Sequence, residues 1–126
     1  MITVTENENE FDCAAAWRII GQILKKKSSV IGLSTGRTTG NFHRLVGEIY
    51  SRNSFDTSSV TFFGLDEVTN VSRYYSGACY TMLKTEIIDS LGVSENNFLM
   101  LPTESEDFEK SCVDFKKELD CRGGID

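Results

Sequence analysis

Apolar residues fall into two kinds of pattern along the chain, and the alternation between them predicts the fold. Three continuous runs, Val30-Ile31-Gly32-Leu33, Val60-Thr61-Phe62-Phe63-Gly64-Leu65 and Phe98-Leu99-Met100-Leu101, are too short for helices and too uniformly apolar for strands with one wet face. They predict strands buried on both sides. Around them, apolar residues recur every three or four positions. Phe11, Ala14, Ala15, Ile20, Ile23 and Leu24, with Trp17 alongside, mark one helix. Phe42, Leu45, Val46 and Ile49 mark a second, Cys79, Met82, Leu83, Ile87 and Leu91 a third, and Phe108, Cys112, Phe115 and Leu119 a fourth. Asn7-x-x-Glu10 and Thr103-x-x-Glu106 have the form of capping boxes, with the first helix running to Lys27, and Gly92 suits the end of the third. Ile2-Thr3-Val4 predicts a short opening strand, and Gly123-Gly124-Ile125-Asp126 a turn into a further one.

The order strand, helix, strand, helix, strand, helix, without repeat, linker or low-complexity tract, predicts an α/β fold. Three layers, α/β/α, enclose a mainly parallel sheet, and the second helix is long enough for the crossover that parallel strands need. The 126 residues suit a single domain. A parallel sheet buries both faces and protects its edges, so a chain closing on Gly-Gly-Ile-Asp reads as a truncated sheet. Residues 1–126 are accordingly expected to be the N-terminal part of one domain. Self-association or a missing C-terminal half is expected to cover the apolar surface that it exposes.

Candidate chemistry lies where the first two strands leave the core. Ser34-Thr35-Gly36-Arg37-Thr38-Thr39-Gly40 joins a strand end to a helix start, where unpaired N–H groups and the helix dipole favour an anion. The threonines add hydroxyls, the glycines let a ligand approach the backbone, and Arg37 supplies a charge. Neither G-x-x-x-x-G-K-[ST] nor G-x-G-x-x-G is present, so two readings stand: a phosphate cradle, or an ordinary strand-to-helix loop with a threonine cap. Asp66-Glu67 closes the second strand, and in parallel sheets ligands bind beyond the carboxyl ends of the strands. The pair reads either as acid–base chemistry or as a strand-end cap. Thr69 to Gly77, polar and carrying Tyr74-Tyr75, is long for a connection and is expected to be a mobile lid or substrate-facing loop.

Composition narrows the partners. A net charge of −6 disfavours nucleic acid, whose binding draws on clustered cations. The Lys25-Lys26-Lys27 run suits a helix C-terminus. Cys13, Cys79, Cys112 and Cys121 form no C-x-x-C pair and, with His43, no zinc spacing, so reduced, mostly buried thiols are expected. Cys79 falls in a helix first turn, where a thiol can ionise more easily, although packing is its plainer role. His43 reads as a surface or packing residue. No stretch is long and apolar enough for a membrane span and no leader-like segment opens the chain, consistent with a cytoplasmic protein.

Four segments, in this order and spacing, carry a family resemblance: Leu33-Ser34-Thr35-Gly36-Arg37-Thr38, the run Val60 to Glu67, Gly77-Ala78-Cys79-Tyr80-Thr81-Met82-Leu83, and Arg122-Gly123-Gly124-Ile125-Asp126. The chain resembles the N-terminal half of the glucosamine-6-phosphate deaminase family and of the related galactosamine-6-phosphate isomerases. The isomerase likeness runs chiefly through Gly-x-Cys-x-Thr and the closing Gly-Gly-Ile-Asp. The resemblance implies a Rossmann-like sheet and an enzyme without cofactor or metal. Such an enzyme opens an amino-sugar 6-phosphate to its aldehyde, moves a proton between C2 and C1 and releases ammonia. It implies further that Ser34, Thr35, Gly36, Arg37 and Thr38 hold the sugar phosphate. Asp66 and Glu67 form the catalytic pair, Asp66 shuttling the proton from partial burial with a raised pKa and Glu67 standing as its structural or electrostatic neighbour.

Departures from the pattern bear on activity. Arg37 stands where the family commonly has a small residue, and Thr39 where it has Pro. A Gly-x-x-x-Gly-His-x-x-x-Asn-Glu-like ring-opening segment and a later phosphate-binding basic residue are not in the chain, which is therefore expected to be inactive alone. The 6-phosphogluconolactonases are similar in fold and acid pair but tend to carry Ser-Gly-Gly-Ser in the loop and Arg after the pair, against Thr-Gly-Arg-Thr and Val68 here. A non-catalytic sugar-phosphate-binding module is the remaining alternative.

Overall fold

A computed structural model describes residues 2–126. Its elements in chain order are α1 (Glu8–Lys25), β1 (Val30–Leu33), α2 (Arg37–Arg52), β2 (Thr61–Gly64), α3 (Cys79–Leu83), β3 (Phe98–Leu99) and α4 (Phe108–Cys121). The strands form a parallel sheet in the order β1-β2-β3, with Val30 opposite Thr61, Leu33 opposite Gly64 and Phe62 opposite Phe98.

The period of two along β2 explains why its run is apolar throughout. Phe62 points into the main core with Leu33, Ala16, Ile20, Ile23, Val46 and Leu83 from β1, α1, α2 and α3. Phe63 points to the opposite face, into a smaller cluster with Val30, Leu99, and Phe115 and Leu119 of α4. Helices therefore cover both faces, giving the three layers. Gly32 is required by close approach: a Cβ there would lie 2.7 Å from the Phe63 ring. Arg122, at the end of α4, ties this layer to the opposite edge of the sheet from the loops. Its guanidinium donates to Thr61 Oγ1 (3.1 Å), Asn97 Oδ1 (3.0 Å) and the Asn96 carbonyl (2.7 Å).

Local departures from the sequence expectation have physical reasons. α1 is capped by Asn7 as its box suggests, but it buries Ala16, Ile20 and Ile23, leaving Phe11, Trp17 and Leu24 exposed. The helix carries apolar residues on more than one face, and the small Ala16 sits on the face packed in the core. α3 runs directly into a π-helical turn, Lys84–Ile88, with Asp89 N–H reaching Lys84 O (3.0 Å), so Glu86, Ile87 and Ile88 are buried in succession. Ile2-Thr3-Val4 is not a strand; Ile2 and Val4 lie exposed. β3 stops at Leu99 instead of Leu101. The expected box at Thr103 is not used: its carbonyl accepts from Asn70 N–H, and Asp107 caps α4 through Lys110 N–H (2.9 Å). α2 begins at Arg37, five residues before the apolar spacing starts at Phe42, because its first turn is polar and faces outward. Cys13, Cys112 and Cys121 are exposed, so only Cys79 fits the expectation of buried thiols. Ile125-Asp126 forms no strand, but Asp126 N–H donates to Val30 O (3.0 Å) beside β1.

Candidate functional site

Because Leu33 pairs with Gly64, β1 and β2 release their following residues at the same edge of the sheet. Leu65 N–H donates to Leu33 O (3.1 Å) and carries the pairing one step further. The loop Ser34 to Thr38 and the acids Asp66-Glu67 are therefore neighbours for a reason set by strand register.

The loop is folded by its own backbone. Gly36, at φ 145°, adopts a conformation that disfavours any side chain, and it is the N-cap of α2. Its carbonyl accepts from Thr39 N–H (3.3 Å) and Gly40 N–H (3.1 Å), while Thr39 Oγ1 donates to the carbonyl of Ser34 (3.0 Å). Thr39 is thus committed to shaping the turn. Among the described residues, the N–H groups of Gly36, Arg37 and Thr38 have no acceptor, all three residues are exposed, and the first turn of α2 carries no acid. The loop presents free backbone donors at a helix dipole end, with the exposed Arg37 as the first residue of that helix.

The two adjacent acids have different surroundings. Glu67 turns toward α3: its Oε1 accepts from Val68 N–H and Cys79 N–H and its Oε2 from Tyr80 N–H, each at 2.8 Å. It satisfies the first donors of a helix that lacks a side-chain cap of its own. Asp66 is exposed, where the sequence led us to expect partial burial, because the rim beside it is open.

Between the loop and Asp66 lies Cys79, the first residue of α3. Its Sγ is 3.4 Å from Thr35 Oγ1 and 3.9 Å from Asp66 Oδ1. Burial, with the carboxylates of Glu67 and Asp66 nearby, pushes the thiol pKa up, outweighing the Thr35 contact. The lowered value that a helix start suggested is therefore corrected. Sequence spacing placed Cys79 on an apolar helix face, and its meeting with Thr35 and Asp66 is a tertiary event with no local signal. Thr35 and Asp66 are brought together through it, Ser34 contributes a backbone acceptor, and Arg37 and Thr38 stand at the start of α2.

His43 takes no part in the contacts that join Thr35, Cys79 and Asp66. It is buried against Phe42, with Nδ1 3.1 Å from Glu86 Oε2 of the π-helical turn. The Thr69 to Gly77 segment is held by Thr81 Oγ1 donating to Arg73 O (2.7 Å), and the Arg73 guanidinium lies 3.8 Å from the centre of the Tyr80 ring. Among the described residues, no His, Cys, Asp and Glu side chains cluster as a metal site, and no helix is long and apolar enough to cross a membrane.

No protein-family model matches the chain. Curated relatives do: a glucosamine-6-phosphate deaminase of Clostridium tetani is 31% identical over 126 residues, 99% of this chain and 52% of the relative. One from Clostridium botulinum is 29% identical over 125 residues, 51% of its length. Among solved structures, a monomeric glucosamine-6-phosphate deaminase of the NagB superfamily superposes with a TM-score of 0.91 at 19% identity, over 97% of this chain and 51% of that one. A 6-phosphogluconolactonase from Plasmodium vivax superposes at 0.77 with 22% identity, over 97% and 44%. The structural neighbours share the fold, and the lactonase likeness extends no further than that. Along nearly its whole length the chain is thus similar to curated glucosamine-6-phosphate deaminases, it shares the parallel α/β/α architecture of the solved neighbours, and it spans about half the length of the curated relatives it matches.

Proposed function

We propose that the β1–β2 rim is the sugar-phosphate end of an amino-sugar 6-phosphate deaminase site. The N–H groups of Gly36, Arg37 and Thr38, with the Arg37 charge and the hydroxyls of Thr35 and Thr38, hold the phosphate. Asp66 takes the C2 proton of the opened sugar and returns it at C1, which leaves a C2 iminium; water adds at C2, the C2–N bond breaks with release of ammonia, and the ketose 6-phosphate keeps the water oxygen as its carbonyl. Remote phosphate contacts supply orientation energy for that transfer. Glu67, with both oxygens engaged by backbone N–H groups, acts as the residue that fixes α3 beside the rim. The observation that carries this reading is the Leu33–Gly64 pairing, which puts a donor-rich helix start and an exposed carboxylate on one edge.

Residues 1–126 are, in this reading, the N-terminal part of a single domain, and the chain alone lacks a complete acid–base set. The open edge of β1 supports this. A groove of about 710 Å³ there is lined by Trp17, Ile31, Phe63, Leu65 and Ile125, among others, and Asp126 already hydrogen-bonds Val30 at its foot. Further polypeptide would continue the sheet along that edge. The exposed thiols of a chain without disulfides suit a reducing, cytoplasmic setting.

The test is an NMR titration of the chain with glucosamine 6-phosphate. Amide resonances of Gly36, Arg37 and Thr38 are expected to shift and saturate, while unphosphorylated glucosamine moves none of them. Saturable shifts confined to other elements, or none, would overturn the reading. An assay of the chain alone for ammonia is expected to stay at background.

A further inference from the structure

Cys79 is the buried thiol that the catalytic reading leaves without a part. It belongs to neither apolar cluster, although its side chain is 7% exposed. Its neighbours are polar groups from two other elements: the hydroxyl of Thr35 from the phosphate loop and the carboxylate of Asp66 from the end of β2. Its own backbone N–H is held by Glu67, so the thiol cannot drift without loosening the start of α3. Three elements that must keep register during proton transfer thus meet at one sulfur atom.

Resting on the proposed sugar-phosphate reading, we infer that Cys79 is a positioning residue of the rim, its thiol joining the phosphate loop to the proton-transfer carboxylate. The direction of the two contacts follows from chemistry. An ionised carboxylate only accepts, so the S–H donates to Asp66 Oδ1, and the sulfur lone pair is left to accept from the Thr35 hydroxyl. When a phosphate oxygen arrives, the Thr35 hydroxyl proton has a stronger acceptor and turns to it. The Thr35 oxygen then accepts from the thiol, whose sulfur is 3.4 Å from Thr35 Oγ1 and 3.9 Å from Asp66 Oδ1. The sulfur therefore keeps the loop seated beside the acid in the bound state, so removing it weakens binding. The raised thiol pKa fits this role, since a thiolate would have no proton to give and would repel Asp66.

The exposed Cys13, Cys112 and Cys121 provide internal references for a labelling test on the unaltered chain. Iodoacetamide modification, followed by mass spectrometry of each peptide, is expected to be slowest at Cys79. Saturating glucosamine 6-phosphate should slow Cys79 several-fold further and leave the other three unchanged. In parallel, Cys79→Ala should weaken glucosamine 6-phosphate binding by about three- to tenfold, the scale of one lost hydrogen bond. Cys79→Ser, which keeps a donor and an acceptor, should restore affinity to within about twofold. If the sugar phosphate shifts the amides of Gly36 to Thr38 but Cys79 is not protected, or if a folded Cys79→Ala binds as tightly as the unaltered chain, the inference is wrong while the binding site stands. If Ala and Ser weaken binding alike, the hydrogen-bonding role is likewise overturned. If those amides do not shift at all, the sugar-phosphate reading fails and takes this inference with it.

Discussion

Asp66 and Glu67 are indistinguishable as a sequence pair, yet their surroundings assign them different work. Adjacent residues leaving a strand point in different directions, so only one of two consecutive acids can reach back to α3. Glu67 does so, accepting three N–H bonds of 2.8 Å. Replacing it with Gln puts an amide NH₂ against a backbone donor. Glu67→Gln is therefore expected to cost about 1 to 3 kcal/mol of stability, the penalty of leaving such donors unsatisfied. At this chain length that corresponds to a fall in Tm of roughly 4 °C per kcal/mol, readable by circular dichroism. An unchanged Tm would mean that the N-terminus of α3 does not depend on this carboxylate. Asp66→Asn, with no backbone donors to satisfy, should leave Tm within about 2 °C, the ordinary effect of a surface change. The sequence made the acid pair visible, and the division of labour became visible only once the start of α3 was located.

At the scale of elements, α2 and the π-helical turn that follows α3 are coupled by a buried polar pair that no motif announces. His43 Nδ1 lies 3.1 Å from Glu86 Oε2, and Glu86 Oε1 is 3.9 Å from the partly exposed Arg44. Burial lowers the pKa of His43 from its ordinary 6.5, outweighing the opposing pull of Glu86, and Arg44 adds to the lowering. The fold thus holds the imidazole neutral where the unfolded chain would take up a proton. The unfolded state binds more protons in that window, so stability is full above the ordinary histidine value and is lost as pH falls through it toward the lowered one. Tm should accordingly drop between pH 7.5 and 5.5. Because His43 is the chain's single histidine, His43→Gln should flatten the curve. A Tm that rises on acidification would show instead that the Glu86 attraction dominates. The apolar periodicities located all four helices and the three strands, since each buries a face large enough to leave a repeat. Boundaries escaped where polar first turns begin a helix, as at Arg37, or where a π-helical turn changes the period, as at Lys84–Ile88. The face of α1 was misjudged because Phe11, Trp17 and Leu24 are as apolar as the residues that are buried.

Those misjudged residues acquire a meaning in the whole molecule. Trp17, 56% exposed, stands with Leu65 (58%) and Ile125 (68%) along the groove at the open edge of β1. Beyond Val30, whose backbone is already engaged by Asp126, an open strand edge beside an apolar groove is a pairing surface, and the hydrogen bond from Asp126 to Val30 sets the line along which a further strand would run. If residues 1–126 are part of one domain, the occupant of that edge is the polypeptide corresponding to the half of the relatives that this chain does not match. That half of the Clostridium tetani relative, produced separately and added to the chain, should then dock in the groove. Trp17 is the chain's single tryptophan, so in a complex with any tryptophan of the added half replaced by Phe, its emission reports the groove alone. The expected result is a blue shift, as an indole now more than half in water becomes covered, accompanied by a single heterodimeric boundary in sedimentation. Leu65→Lys should abolish both signals while leaving the Tm of the chain within about 2 °C, because its side chain is already exposed. Emission that stays at the solvent-exposed wavelength in a complex confirmed by sedimentation would place the rest of the domain elsewhere. A blue shift that Leu65→Lys fails to remove would likewise exclude the β1 edge as the docking seat of the added half.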